Sequence, residues 1–210
     1  MRNVTKTMLI AAGAFTILST WRRGRDIVSR KRTEQEGPLR EFVDEIRVMD
    51  PPVQRCPGTA VFLNANPDTT PLAMRANVEH NHTLHEAAVI MSVQMTNVPR
   101  IGDDERIAID DLGYRDDGIT HVTARYGFKD DVDVPRALRL ATERGVECGV
   151  DLSCPSYFLS QMTIVPTRNR GMRRWRKRLF VVMSRNAASP ADWFRLPDDR
   201  TVTLGSRVEL

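Results

Sequence analysis

The chain opens on an uncharged run of fourteen residues, Met8–Trp21 (MLIAAGAFTILSTW), followed at once by Arg22, Arg23, Arg25, Arg30, Lys31 and Arg32 against a single anion, Asp26. At about 1.5 Å per residue that run makes a helix roughly 21 Å long, short of the ~30 Å hydrocarbon core of a bilayer. Cations within about 15–20 residues of an apolar segment mark its cytoplasmic end, and Trp21 at the junction suits the headgroup layer. The pattern therefore predicts the last part of a transmembrane helix, residues 1–25 with their basic cytoplasmic flank, whose start lies ahead of the chain. A secretory signal peptide places its charge mainly before the apolar run and a small-residue cleavage site after it. Here only Arg2 and Lys6 precede the run, and the A-x-A string Ala12–Ala14 lies inside it. A core helix of a soluble domain is the other alternative for so short a run.

Residues 26–57 read as a connector. Within it Leu39, Phe42, Val43, Ile46 and Met49 fall on one face of a helix, with Pro38 at its start and Pro51-Pro52 ending it. Such a stripe packs on its own domain, the opposite face carrying Glu41, Asp44 and Glu45 beside Arg40 and Arg47. From residue 58 to 210 short apolar runs alternate with helical patterns. Thr59–Leu63, Ala87–Met95 and Tyr157–Ile164 read as buried strands, and Thr201–Val208 as a closing one. Arg106–Leu112 and Ile119–Tyr126 flank a turn at Asp116-Asp117-Gly118, a hairpin signature. A helix opens at Thr70-Pro71, with Thr70 as N-cap, and runs to about His80. A second follows Asp133, from Val134 to about Arg144, and stops at Gly145. Met172, Trp175, Leu179, Val182 and Met183 mark a third at the 3.6-residue period, its apolar stripe backed by solvated cations. The order β-α-β-β-β-α-β-α-β mixes consecutive strands with βαβ steps. It predicts an α/β (α+β) fold, a mixed sheet with flanking helices behind the partial transmembrane helix.

Composition narrows the class. The 210 residues carry 31 Lys+Arg against 27 Asp+Glu, a net charge of +4, with 41% apolar and 28% charged residues. These are globular values, which exclude a disordered tail, a collagen and a polytopic membrane protein. Cys56, Cys148 and Cys154 are too few and too odd for a disulfide scaffold, and they suit a reducing compartment.

Enzymatic signatures are missing. G-x-S-x-G, G-x-x-x-x-G-K-[ST] and G-x-G-x-x-G do not occur, and Cys148 and Cys154 sit beside Glu147 and Asp151 with no nearby histidine. His80, His82 and His85 invite a metal site, but the segment joins a helix to a strand and has neither H-E-x-x-H nor a C-x-x-C pair to complete it. The helix end supplies their alternative role. The acidic residues between Asp103 and Asp117 lack EF-hand spacing and read as solvated hairpin charge. The expectation is no enzyme, no cofactor, no metal site, and no catalytic or ion-binding residue. One charge pattern stands out: Arg168, Arg170, Arg173, Arg174, Arg176, Lys177 and Arg178, seven cations in eleven residues without an anion. Such a helix suits anionic lipid, an anionic signalling nucleotide or nucleic acid. Because the chain begins with a membrane segment, headgroups are the nearest partner, with Arg173, Arg174, Arg176 and Lys177 as the contact residues. A plain solvated face is the alternative. Nucleic acid is not favoured, because the element order supplies no recognition fold.

The strings STWRRGR (Ser19–Arg25), PGTAVFL (Pro57–Leu63), LHE (Leu84–Glu86), VPR (Val98–Arg100), ARYGF (Ala124–Phe128), DVPRAL (Asp133–Leu138), SYFL (Ser156–Leu159) and the final Ser184–Leu210 resemble, in order and over nearly the whole chain, the KUP/HAK/KT potassium-uptake transporters. The resemblance implies the carboxy-terminal cytosolic domain with the tail of the last membrane helix. It places the K⁺ and coupling-proton sites among about a dozen helices to which no position here corresponds. On this likeness the chain is expected to be a membrane-tethered regulatory or structural domain at the plasma membrane, with its bulk cytoplasmic. Its partners would be the bilayer, through Met8–Trp21 and the adjoining arginines, and the remaining transporter helices or a second protomer. The alternative is a soluble anion-binding module using residues 168–178.

Overall fold

The computed structural model describes residues 2–115, 117–146, 151–165, 167, 172–185 and 190–209. Two compact units divide the chain: Met1–Gln35 with Met162–Ala187 and Ser206–Leu210, and Glu36–Gln161 with Ala188–Gly205.

In the first unit the apolar run and the basic run are a single helix, α1 (Arg2–Glu36), 35 residues and so about 52 Å long. Arginine, lysine and glutamate are good helix formers, so the charge that ends the apolar segment does not end the helix. It stops at Gly37, whose φ of 65° no β-carbon favours. Among the described residues this is the one helix long and apolar enough to cross a membrane, by length and composition. Met8, Leu9, Ile10, Phe15 and Leu18 are all exposed along it.

The second unit begins with α2 (Leu39–Val48), whose Leu39, Phe42, Val43 and Ile46 are buried as their spacing predicts. Then come β1 (Gln54–Asn64), α3 (Leu72–Asn81), β2 (Thr83–Thr96), a one-turn α4 (Asp103–Arg106), β3 (Ile107–Asp110), β4 (Ile119–Gly127), α5 (Val134–Glu143) and β5 (Ser156–Val165). Next are α6 (Arg174–Arg185), which is part of the first unit, the short α7 (Pro190–Trp193), a 3-10 turn at Asp198–Arg200 and β6 (Thr201–Glu209). The sheet has six strands in the order β3-β4-β2-β1-β5-β6. β1 runs parallel to β2 and β5, and β2 parallel to β4. β3 is antiparallel to β4. This is the mixed sheet that the element order implies.

Alternation along the strands builds two cores. Val61, Leu63, Val89, Met91, Val122 and Tyr157 face α5, meeting Val134, Ala137, Leu138 and Ala141. Ala60, Phe62, Ala88, Ile90 and Phe158 face the other way, onto α2 and the Met74 and Val78 side chains of α3. Both faces are covered, which is why these strands read as unbroken apolar runs. Each large side chain so buried contributes about 1.5–3 kcal/mol.

Local chemistry sets the ends. Asp133 caps α5 by accepting from the Arg136 N–H at 2.8 Å. α3 starts one residue later than Thr70-Pro71 suggests, with Pro71 at the cap position and no side-chain cap. Thr70 Oγ1 donates instead to the Pro38 carbonyl at 3.3 Å. In the β3–β4 turn, Gly118 has φ 79° and its α-carbon lies against the Glu86 carbonyl, so a side chain there would collide with backbone. Asp117 Oδ1 accepts from the Ile119 N–H at 2.9 Å, while Asp116 lies outside the described residues.

Candidate functional site

The basic helix α6 packs within the first unit, on the stretch of α1 where the apolar run gives way to arginines. Gly24 makes the approach possible: a β-carbon there would overlap the ring of Phe180. Trp21 meets the same ring, centroids 5.5 Å apart and tilted by 47°. Arg176 completes the contact, its Nε donating to Thr20 Oγ1 and its Nη2 to Ser19 Oγ, each at 2.9 Å. Thr20 is wholly buried and Ser19 partly so. Charge-assisted donation to a hydroxyl shielded from water is stronger than the same bond at the surface.

This docking rotates α6 relative to the expected stripe. The buried residues are Lys177, Phe180 and Val181, while Trp175 and Val182 are exposed, Trp175 at 51%. The period is legible in the sequence but the phase is not: the helix presents to α1 the face whose phenylalanine fits the gap at Gly24. Lys177 is 2% exposed, and its ammonium donates to the Thr167 carbonyl at 3.0 Å.

Of the four headgroup-contact residues, then, Arg173 and Arg174 stand in solvent, Arg176 is half-buried on α1 and Lys177 is enclosed. Arg178 is exposed as well, and Arg168 and Arg170 lie outside the described residues. Nothing in the residue pattern marks Ser19 and Thr20, 157 and 156 positions from Arg176, as its partners.

The three clustered histidines separate. His80 sits in the last turn of α3. His82 caps that helix in the left-handed region, its N–H reaching the Asn77 and Val78 carbonyls. His85 lies in β2, edge-on to Phe158 with centroids 5.8 Å apart, and burial lowers its pKa. Among the described residues no group of three or more His, Cys, Asp or Glu is arranged to hold a metal.

His121 is different. It is buried in β4, with Nε2 3.1 Å from Ser92 Oγ, and lines a cavity of about 400 Å³ with Arg40, Asp68, Asp110 and Thr123. Burial holds its pKa below 6.5; the carboxylates of Asp110 and Asp68 oppose that, and Arg40 reinforces it. A serine beside a histidine suggests a nucleophile and base. Ser92 is wholly buried, however, so no substrate carbonyl reaches it. Asp110, opposite His121 in the hairpin, is taken up by Arg40 at 3.0 Å and the Leu112 N–H at 2.9 Å. The pair is a structural hydrogen bond.

Three of the acids in and before the hairpin, Asp103, Asp110 and Asp111, pair with arginines. Asp103 lies 3.1 Å from Arg106 and 2.7 Å from Arg136, which lower its pKa. Cys56 and Cys154 are free thiols, and Cys148 lies outside the described residues.

Comparison with known proteins fits this arrangement. Residues 57–210 match the family model for the K+ potassium transporter C-terminal domain. The chain is 48% identical over 203 residues to the "Probable potassium transport system protein Kup" of Rhodococcus jostii, covering 97% of this chain and 31% of that protein. It is 43% identical over 206 residues to the protein of the same name from Thiobacillus denitrificans, covering 97% of this chain and 31% of the relative. With the Kup protein of Caulobacter vibrioides it shares 39% identity over 201 residues, covering 96% and 29%. No solved structure matches. The chain thus spans under a third of the length of these curated relatives, the part to which the family model's C-terminal domain belongs. With that model covering the strand-and-helix pattern from within β1 onward, the chain belongs to the KUP/HAK/KT potassium-transporter family as its C-terminal domain.

Proposed function

We propose that the chain is the membrane-tethered, cytoplasmic portion of a plasma-membrane potassium transporter, and that it serves the transporter as a regulatory or structural domain without conducting the ion. The family's K⁺ transfer, coupled to protons in the intact protein, is the activity it accompanies. Ion transfer requires a path in which oxygen ligands replace the hydration shell, and a single apolar helix cannot enclose one.

The observation that carries this reading is the pair of hydrogen bonds from Arg176 to Ser19 and Thr20. They hold a basic helix beside Trp21, at the end of the apolar run. Arg173, Arg174, Arg178 and Trp175 are exposed, and on this reading they contact anionic headgroups, at a gain of about 1 kcal/mol per cation close to the surface. A free-standing anion-binding module is disfavoured by the same geometry, since Arg176 and Lys177 are engaged inside the protein.

Expressed alone in cells lacking K⁺ uptake, the chain should fractionate with membranes and fail to restore growth at low K⁺. In sealed vesicles the exposed Cys154 should react with an impermeant maleimide only when the cytoplasmic face is outward. Restored growth would overturn the non-conducting role, and labelling from the opposite face would overturn the orientation.

A further inference from the structure

Within the second unit a cavity of about 290 Å³ opens between α5, the start of β5 and the turn that precedes β6. Leu138, Leu152, Leu196 and three prolines form its apolar walls, and every charged side chain on the described lining is an arginine: Arg139, Arg195 and Arg200. Among the described residues no carboxylate lines it.

Tyr157 is 3% exposed, yet its hydroxyl makes no hydrogen bond among the described residues. Arg200 Nε is likewise buried without a hydrogen-bond partner among them, the Asp199 carboxylate lying 3.6 Å away. Arg200 is anchored from its other side, where Nη1 donates to the Ser153 carbonyl at 3.3 Å. Arg195 is paired with Asp131 at 3.1 Å, whereas Arg139 is exposed and has no ion pair among the described residues. Arg139, Tyr157 and Arg200 line this one cavity; burial pushes the Tyr157 pKa up, the charges of Arg200 and Arg139 oppose that push and Asp133 adds to it. Buried donors almost always have acceptors. Arg200 Nε lacks one here, and beside it the Tyr157 hydroxyl opens on the cavity without a protein partner and the Arg139 guanidinium has no ion pair among the described residues, so together they define a place where an acceptor is supplied from outside.

We propose that this cavity binds a small organic oxyanion, a carboxylate or phosphate on a compact apolar body, with Tyr157, Arg139 and Arg200 donating to the oxygens and Leu138, Leu152 and Leu196 covering the body. Guanidinium groups match the planar forks of such oxyanions. The volume lies just under the smallest small-molecule sites, which run from about 300 to 1,000 Å³, and limits the ligand to about the size of an aryl phosphate. This site is separate from α6 and does not depend on the headgroup reading.

The test is calorimetric titration of the full chain, in neutral detergent, with phenyl phosphate, benzoate, inorganic phosphate and benzyl alcohol. At least one of the two aryl anions should bind more than about tenfold tighter than benzyl alcohol, and which one does so separates phosphate from carboxylate. Tyr157→Phe and Arg139→Gln should each weaken that binding about tenfold, the loss expected for a bond to a charged group. Tyr157→Phe removes one hydroxyl from an otherwise unchanged core, and circular dichroism verifies its fold. Absence of binding by both aryl anions at millimolar concentration overturns the proposal. So do equal affinity for benzyl alcohol, inorganic phosphate binding as tightly as the aryl anions, or variants that bind as the parent does.

Discussion

Along α6 and its approach, cations follow one another in sequence with no acid between them; around the α5–β5 cavity, Arg139, Arg195 and Arg200 arrive from separate elements. The first group is conspicuous and partly consumed: Arg176 holds α1 and Lys177 holds a backbone carbonyl. The second is inconspicuous and partly idle, with Arg139 unpaired and Arg200 Nε without an acceptor among the described residues. Density of charge along a chain is therefore a poor guide to charge left over for a ligand. What matters is whether the fold has already supplied each donor with an acceptor.

The largest effect should come from closing the gap that admits α6. Gly24→Val drives a branched side chain into Phe180 and should cost about 1–3 kcal/mol, as overpacking does. Amide exchange across α6 in detergent should accelerate while that of β1 and β2 stays slow. Unchanged protection of α6 would show that the docking contributes little.

A smaller effect separates the two arginine groups directly. Arg176→Ala removes two charge-assisted hydrogen bonds to hydroxyls and should lower stability by about 1.5–2 kcal/mol. Arg139→Gln, removing a cation with no ion pair among the described residues, should stay within about 0.5 kcal/mol of the parent. Chemical denaturation of the two variants side by side measures both, and equal losses would erase the distinction.

The smallest effect concerns His121, a buried group that does have its partner. Its folded pKa lies below 6.5, so above that value both states are neutral and pH has no effect through it. As pH falls below 6.5 the unfolded chain takes up a proton that folded His121 refuses, and stability declines until its folded pKa is passed. His85, also lowered by burial, acts in the same direction. Denaturation between about pH 7.5 and pH 5.5 should show this slope, and His121→Gln, which keeps a donor for Ser92, should flatten it. A variant with the parent's slope would assign the decline elsewhere.

Much of the fold can be read before it is seen. The strands are legible because β1, β2 and β5 are covered on both faces and keep an unbroken apolar signal, and α5 because Asp133 and Gly145 bracket a clean amphipathic period. α6 shows its period and withholds its phase, since the gap that orients it is a glycine in a helix far away in sequence. The length of α1 is hidden by its composition: arginine reads as an interruption of a membrane segment and is none to a helix. His80, His82 and His85 form one cluster along the chain and are dispersed by a helix end and a strand. The cavity at Tyr157 leaves no trace in the sequence, because an unpaired donor is a property of surroundings, and its surroundings come from three elements.

The position of β1 sets a schedule for synthesis. One of its two neighbours, β2, comes directly after α3, but the other, β5, comes only after β3, β4 and α5 have been made. Until then one flank of a strand that is buried from Thr59 to Asn64 has no mate, and closing the long interval between them is slow compared with local helix formation. The nascent domain therefore waits, half assembled, with an adhesive edge uncovered until β5 is made. A ribosome pausing before Ser156 would lengthen that exposure, and one that does not would shorten it.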